Sequence, residues 1–369
     1  MKTIDSHLHV WASSAESTTY PYAPNQTPPP PLLDTSSTAS LLQQMAEAKV
    51  DGALIVQPIN HQYDHRYVRD AIRNHPDKFK GMMLFDPALD GDDALVRFEE
   101  LVLEGFVGVR FNPYLFEGKM SENEGAVKVF QRCAELKIPV GIMCFKGIEL
   151  HYDDIQSLCQ LSPETIVVLD HFGFASVENQ KQFENVLTLK ERNVVVKISA
   201  LFRLGEDFPY ERVKKERFDP LLKAYGADRL MFGTDFPFVT QEEIGYKGAV
   251  DVLSSWLSAR SEEEKNLVMG GTAERLFGFW GKQWISSFIL RTGTDWVTRC
   301  HHAINLQLVW ECLYACTVIY VERSINYTLN VKQIHIITEK TIIVLILDSN
   351  ELNSENTKSV FVSNSKVLI

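Results

Sequence analysis

The 369 residues carry 37 Lys and Arg against 48 Asp and Glu, a net charge of −11, and are 45% hydrophobic and 23% charged. That content excludes a disordered chain, a collagen-like repeat and a small disulfide scaffold. The acidic balance argues against a nucleic-acid partner, whose phosphates need clustered Lys and Arg. Six Cys without a zinc-ligand spacing read as free thiols in a reducing compartment. Met1-Lys2-Thr3-Ile4-Asp5 opens neither an apolar signal core nor an Arg/Ser-rich transit stretch, so the expectation is a cytoplasmic protein, with an organellar address left open should a leader precede it.

In chain order, short apolar, β-branched runs occur at Thr3-Ile4, Ala53–Val56, Gly81–Phe85, Val107–Phe111, Val140–Cys144, Ile166–Leu169, Val194–Ile198 and Leu230–Phe232. Each predicts a strand buried on both faces, as parallel sheets require. Amphipathic helical patterns lie between them, such as Leu41, Leu42 and Met45, then Leu95, Phe98 and Leu101. Eight βα units predict a (β/α)8 TIM barrel, distorted, over residues 1–283; an open doubly wound sheet is the alternative, without a G-x-G-x-x-G after the first strand. Tyr20–Pro31 holds six prolines and predicts a stiff, non-helical loop leaning over the barrel mouth. Ser261-Glu-Glu-Glu264 predicts a capping box, and a last helix at Thr272–Leu276 closes the bottom near Trp280.

Residues 284–369 differ in style. They hold 7 basic and 7 acidic residues, no Pro, and only Gly293 among 20 glycines. Turns need such residues, so the expectation is an atypical tail, disordered or poorly packed, with a small helical or β appendage as the alternative. Ala303–Val321 is about one membrane span long, but Asn305, Gln307 and Glu311 interrupt it, which argues against a membrane helix.

Barrel enzymes work at the C-terminal ends of their strands. There the chain carries Asp5-Ser-His7-Leu-His9, Asp170-His171-Phe-Gly173 and Gly233-Thr-Asp235-Phe-Pro237. Alternation on an extended chain projects His7 and His9 into the mouth together. The same alternation turns Asp170 outward, next to an inward His171. Each of these residues has a bland reading, as a structural His or a turn Asp; position at strand ends is what gathers them. Arg110, Lys197 and Arg203 are cationic candidates for an anionic small-molecule substrate in an otherwise acidic chain; the alternative is an ion pair for Arg110 and Lys197 and a solvated side chain for Arg203. Gln57, Asn60, His61 and Tyr114 are candidate rim contacts.

The three motifs, in this order, resemble the amidohydrolase superfamily, and more narrowly the amidohydrolase-related branch with its dicarboxypyrone and sugar lactonases. The resemblance covers residues 1–283. It implies a distorted (β/α)8 barrel and hydrolysis at a carbonyl centre, with Asp235 as general base beside His7, His9 and His171. The chain departs from the superfamily pattern after strands 4 and 5, where Arg110-Phe-Asn-Pro-Tyr114 and Met143-Cys144-Phe145-Lys146 stand in place of metal ligands. A binuclear centre is therefore not expected. The cofactor expectation is none, or one weakly bound divalent ion, zinc or manganese, on His7, His9 and Asp235. A lactone or related cyclic ester of a small carboxylated molecule is the expected substrate. The alternatives are a metal-dependent decarboxylase of a small unsaturated acid and an inactive barrel.

Overall fold

The β-branched runs form eight strands: β1 (Ile4–Leu8), β2 (Gly52–Val56), β3 (Phe79–Leu84), β4 (Phe106–Phe111), β5 (Val140–Ile142), β6 (Val167–Leu169), β7 (Val194–Ile198) and β8 (Leu230–Phe232). In this computed structural model the described residues are 2–281 and four strands beyond them, β9 (Val331–Ile337), β10 (Ile342–Leu347), β11 (Val360–Ser363) and β12 (Lys366–Leu368). Strands β1 to β8 pair in parallel, each with its sequence neighbour. Closure runs just past β8: His9 N donates to Phe236 O at 2.7 Å, and Asp235 N donates to His7 O at 2.9 Å. This is a TIM barrel, and the open-sheet alternative falls away.

The helices between the strands bury their apolar stripes against the barrel's outer face. Leu41 and Met45 do so from Thr38–Ala48, and Phe98 and Leu101 from Gly91–Leu103. The Ser261–Glu264 capping box forms, with Ser261 accepting from Glu264 N and Glu264 accepting from Ser261 N. One expectation fails. The proline stretch ends in a short helix, Pro30–Leu33, because proline lacks only an N–H that a first helical turn leaves unpaired anyway. Ala23 N and Pro21 O are held by Asn60 O and His61 Nδ1, so this segment packs on the loop after β2.

The barrel interior has two levels. Below, Ile4, Leu54, Val56, Met82, Val168, Val195 and Met231 meet Phe277 and Trp280 in an apolar cluster. Trp280 Nε1 donates to Ala53 O, and its ring lies where a side chain on Gly52 would be, 2.3 Å from an ideal Cβ. Above this level the interior positions become polar.

Residues 1–282 and 283–369 separate into two compact units. In the second, β9 to β12 form an antiparallel sheet in the order β12-β11-β10-β9. The remaining residues from 282 onward lie outside the described ones, and with them the expectation of a disordered tail and the stretch Ala303–Val321. Among the described residues no helix is long and apolar enough to cross a membrane.

Candidate active site

Three strand ends turn sharply at the mouth. His171, Ala200 and Asp235, just past β6, β7 and β8, have φ of 50°, 52° and 65°, and His171 opens a run through Phe174 in which every residue is left-handed. Such backbone is unfavourable for residues other than glycine and clusters at functional sites. Gly233 permits the close approach of β8 to β1, since a Cβ there would sit 3.0 Å from His7 N and Cβ.

These turns converge on one carboxylate oxygen. Asp235 Oδ1 lies 3.9 Å from His7 Nε2, 3.7 Å from His9 Nε2 and 3.7 Å from His171 Nε2. None of these is a hydrogen bond. Asp235 Oδ2 accepts from Arg203 Nε at 2.9 Å. Burial raises the Asp235 carboxyl to about 7, although Arg203 opposes the shift. Burial likewise pushes His7 down to about 3 and holds His9 and His171 well below their ordinary value, so all three imidazoles are neutral near pH 7.

The far nitrogen of each ring fixes its tautomer. His9 Nδ1–H donates to Val56 O at 2.8 Å, leaving Nε2 a lone pair. His7 Nδ1 lies 3.0 Å from Asp170 Oδ1 and 3.1 Å from Lys197 Nζ; donation to the carboxylate leaves the lone pair on Nε2, which is buried without a partner. His171 Nδ1 meets the Ser199 hydroxyl at 2.8 Å, which can donate or accept. A neutral His9 held this way is an acceptor or a ligand and cannot donate to an oxyanion.

Asp170 corrects the alternation argument. It points into the barrel, fully buried, within 3.2 Å of Lys197 Nζ through Oδ1 and 3.2 Å of Arg110 Nε through Oδ2. The second contact is a charge pair without hydrogen-bond geometry, so both Arg110 Nε and Asp170 Oδ2 lack hydrogen-bond partners. Burial opposes ionisation of Asp170, yet His7, Lys197 and Arg110 together hold its carboxyl well below the ordinary value. Burial lowers Lys197 and Asp170 counteracts it. A third buried carboxylate, Asp5, accepts from Thr234 N and Oγ1 at 3.0 and 2.6 Å and ties β1 to the loop carrying Asp235.

A cavity of about 280 Å3 opens above the cluster, lined by His9, Gln57, Arg110, His171, Arg203 and Asp235, with Trp11, Phe145, Phe174 and Phe238 among its apolar walls. Four candidates do not line it: His7, His61, Tyr114 and Lys197. Lys197 is fully buried against Asp170, and the Tyr114 hydroxyl accepts from Lys146 N in the neighbouring loop. His61 is taken up by Ala12 N and Pro21 O, so it serves loop packing. Ser199, Asp170 and the carbonyl of Val56 are partners the sequence reading missed.

For a metal, one atom each from His7, His171 and Asp235 lies within 4.8 Å of the others. His171 thus replaces His9 in the expected trio, because the left-handed turn brings its ring centroid to 4.3 Å from that of His7. The residues fit one divalent ion. The partnerless Nε2 of His7 is buried among them, and Asp170 orients its ring from behind, as carboxylates do behind metal-binding histidines.

A TIM barrel with histidines and an aspartate gathered at its strand ends is the class that fold and site define. A family model described as amidohydrolase matches residues 4–279, and the chain belongs to that family. The L-fucono-1,5-lactonase of Burkholderia multivorans is 29% identical over 144 residues, 35% of this chain and 48% of the relative, so the match spans about half of that relative's length. The probable 2-pyrone-4,6-dicarboxylic acid hydrolase of Acinetobacter baumannii, crystallised with citric acid, has a TM-score of 0.61 at 21% identity, covering 76% of this chain and 100% of its own. A Burkholderia multivorans amidohydrolase with bound zinc has a TM-score of 0.58 at 19% identity, with coverages of 76% and 100%. These structural likenesses establish the fold.

Proposed function

We propose that the barrel is a hydrolase that opens a lactone or related cyclic ester of a small carboxylated molecule by Asp235-activated water. The observation that carries this reading is the convergence of three neutral imidazoles on Asp235 Oδ1 at 3.7–3.9 Å. Asp235, ionised above about pH 7, takes a proton from water as the water oxygen bonds to the carbonyl carbon. The Nε2 lone pair of His9, which lines the cavity, accepts the water's other hydrogen and orients it. His171, when the Ser199 hydroxyl donates to its Nδ1, presents Nε2–H to the developing oxyanion. Collapse breaks the ring C–O bond, and the proton on Asp235 passes to the leaving oxygen. Arg110 and Arg203 give the cavity its attraction for an anion.

His7, His171 and Asp235 would hold a single zinc or manganese ion. Such an ion, when bound, polarises the carbonyl and lowers the pKa of water. The Burkholderia structure with zinc supports this reading for the family fold.

A panel of carboxylated lactones, followed by ring-opened product, tests the proposal. Turnover by the parent and its loss in Asp235→Asn are expected. A panel without turnover, with or without added zinc or manganese, overturns it. Chelation is expected to lower kcat/KM by less than Asp235→Asn does, since the base belongs to the chain.

A further inference from the structure

Around the cavity the charges are unevenly shared. Asp170 pairs with both Lys197 and Arg110, Asp235 pairs with Arg203, and Asp5 accepts from Thr234 and the His7 backbone. Asp170 is thus divided between two cations. Arg110 lines the cavity, is 7% exposed, and holds a buried Nε without a hydrogen-bond partner, whereas Arg203 Nε is committed to Asp235. A buried guanidinium that shares its carboxylate with a second cation and makes no hydrogen bond through Nε is incompletely compensated until another anion meets it.

Part of the polar wall is spent on the protein itself. Gln57 Nε2 donates to Gln62 O and Asp64 O, Asn60 Nδ2 donates to Gln26 O, and Asn112 Oδ1 accepts from Tyr114 N, while Gln57 Oε1 is buried without a partner. A polyhydroxylated ring has the three bonded atoms closed to its hydroxyls, and buried polar groups without partners cost affinity. The apolar side is continuous. Phe145, 54% exposed at the rim, packs edge-on against Phe174 at 5.7 Å, and Phe174 packs edge-on against His171 at 4.9 Å. Met143 lines the same cavity. This track leads from solvent to the reacting centre.

We propose that the substrate carries one carboxylate, seated on Arg110, and an apolar or aromatic substituent laid along Phe174 and Phe145, so that singly charged, apolar lactones are preferred over dicarboxylated and sugar lactones. Phe145 is then a specificity-determining residue. The inference rests on the hydrolase reading only for its use of a lactone; the recognition it describes is independent of turnover.

Two measurements on the full chain separate those layers. The first compares kcat/KM for a γ-butyrolactone bearing one carboxylate and a phenyl group, the same ring bearing two carboxylates, and a polyhydroxylated aldonolactone. A preference of about tenfold or more for the first is expected, the scale on which an apolar pocket discriminates. Phe145→Ser should cut the ratio between phenyl-substituted and unsubstituted carboxylactone severalfold, and Arg110→Met should remove the preference for a carboxylate. The second measures calorimetric binding of unreactive probes: 3-phenylpropionate, glutarate and gluconate. Phenylpropionate binding tightest supports the inference even where no lactone turns over, an outcome that defeats only the hydrolase reading. Tightest binding or fastest turnover of the dianion or the polyol overturns the inference and leaves the hydrolase reading standing.

Discussion

The two ends of the barrel interior are equally buried and chemically opposite. On β7, Val195 belongs to the lower apolar cluster and Lys197, two residues on, is in an ion pair; on β6, Val168 is followed two residues later by Asp170. One step of the strand's inward-facing periodicity separates packing from chemistry. The lower end is held by apolar contact and a tryptophan plug. The upper end spends folding free energy on buried charges and left-handed turns gathered around Asp235. The contrast shows why a barrel can carry a reactive site: stability is supplied at one end and used at the other.

That division can be broken experimentally. Asp235→Asn should lower kcat/KM about 1,000-fold, within the usual range for losing a general base, while circular dichroism shows an undiminished melting temperature. A lost fold would instead make Asp235 a structural residue. Trp280→Ala should do the reverse, costing about 4 kcal/mol in urea unfolding, as large-to-small core changes do, with kcat of the folded fraction unchanged. Lys197→Met tests the border between the two ends. Leaving Asp170 with one cation fewer should cost about 3 kcal/mol, as breaking a buried pair does, and should also slow turnover because Asp170 orients His7. A loss confined to stability would remove Lys197 from the upper, chemical level. The smallest effect is in pH. Because burial raises Asp235 to about 7, the ionised base is lost as pH falls below that value. The rate should then drop about tenfold per unit on the acid side and level off above; a profile flat down to pH 5 would contradict the assignment.

Much of the lower end was legible from residue type. Parallel strands buried on both faces are runs of Val, Ile, Leu, Met and Phe, so β2 to β8 lie within a few residues of their expected bounds. β1 extends to Leu8 through Asp5, Ser6 and His7, polar residues that hide a strand because the site uses them. Alternation turned His7 inward, where its Nε2 lies 3.9 Å from Asp235 Oδ1, but failed for Asp170. The strand stops at Leu169 and the backbone reverses hand at His171, so adjacent residues share one side. No local pattern announces that reversal apart from Gly173. For Lys197 the sequence leaves ligand contact and ion pair both open, because its partner Asp170 lies 27 residues upstream and pairing across strands is invisible to spacing along one. The tautomers of His7, His9 and His171 depend on Asp170, Val56 and Ser199 from other strands, and only the assembled barrel specifies them.

The left-handed turn at Asp235 has a consequence for heat resistance. A carboxyl with φ of 65°, raised to about 7 against 3.8 for the free group, binds its proton more tightly in the native chain than in the unfolded one. The native state therefore gains from this group as pH falls from 7 toward 4, the same interval in which the base is switched off. Asparagine at 235 keeps the side chain's volume but cannot take up this proton, so the dependence of the melting temperature on pH between 7 and 4 should flatten in Asp235→Asn.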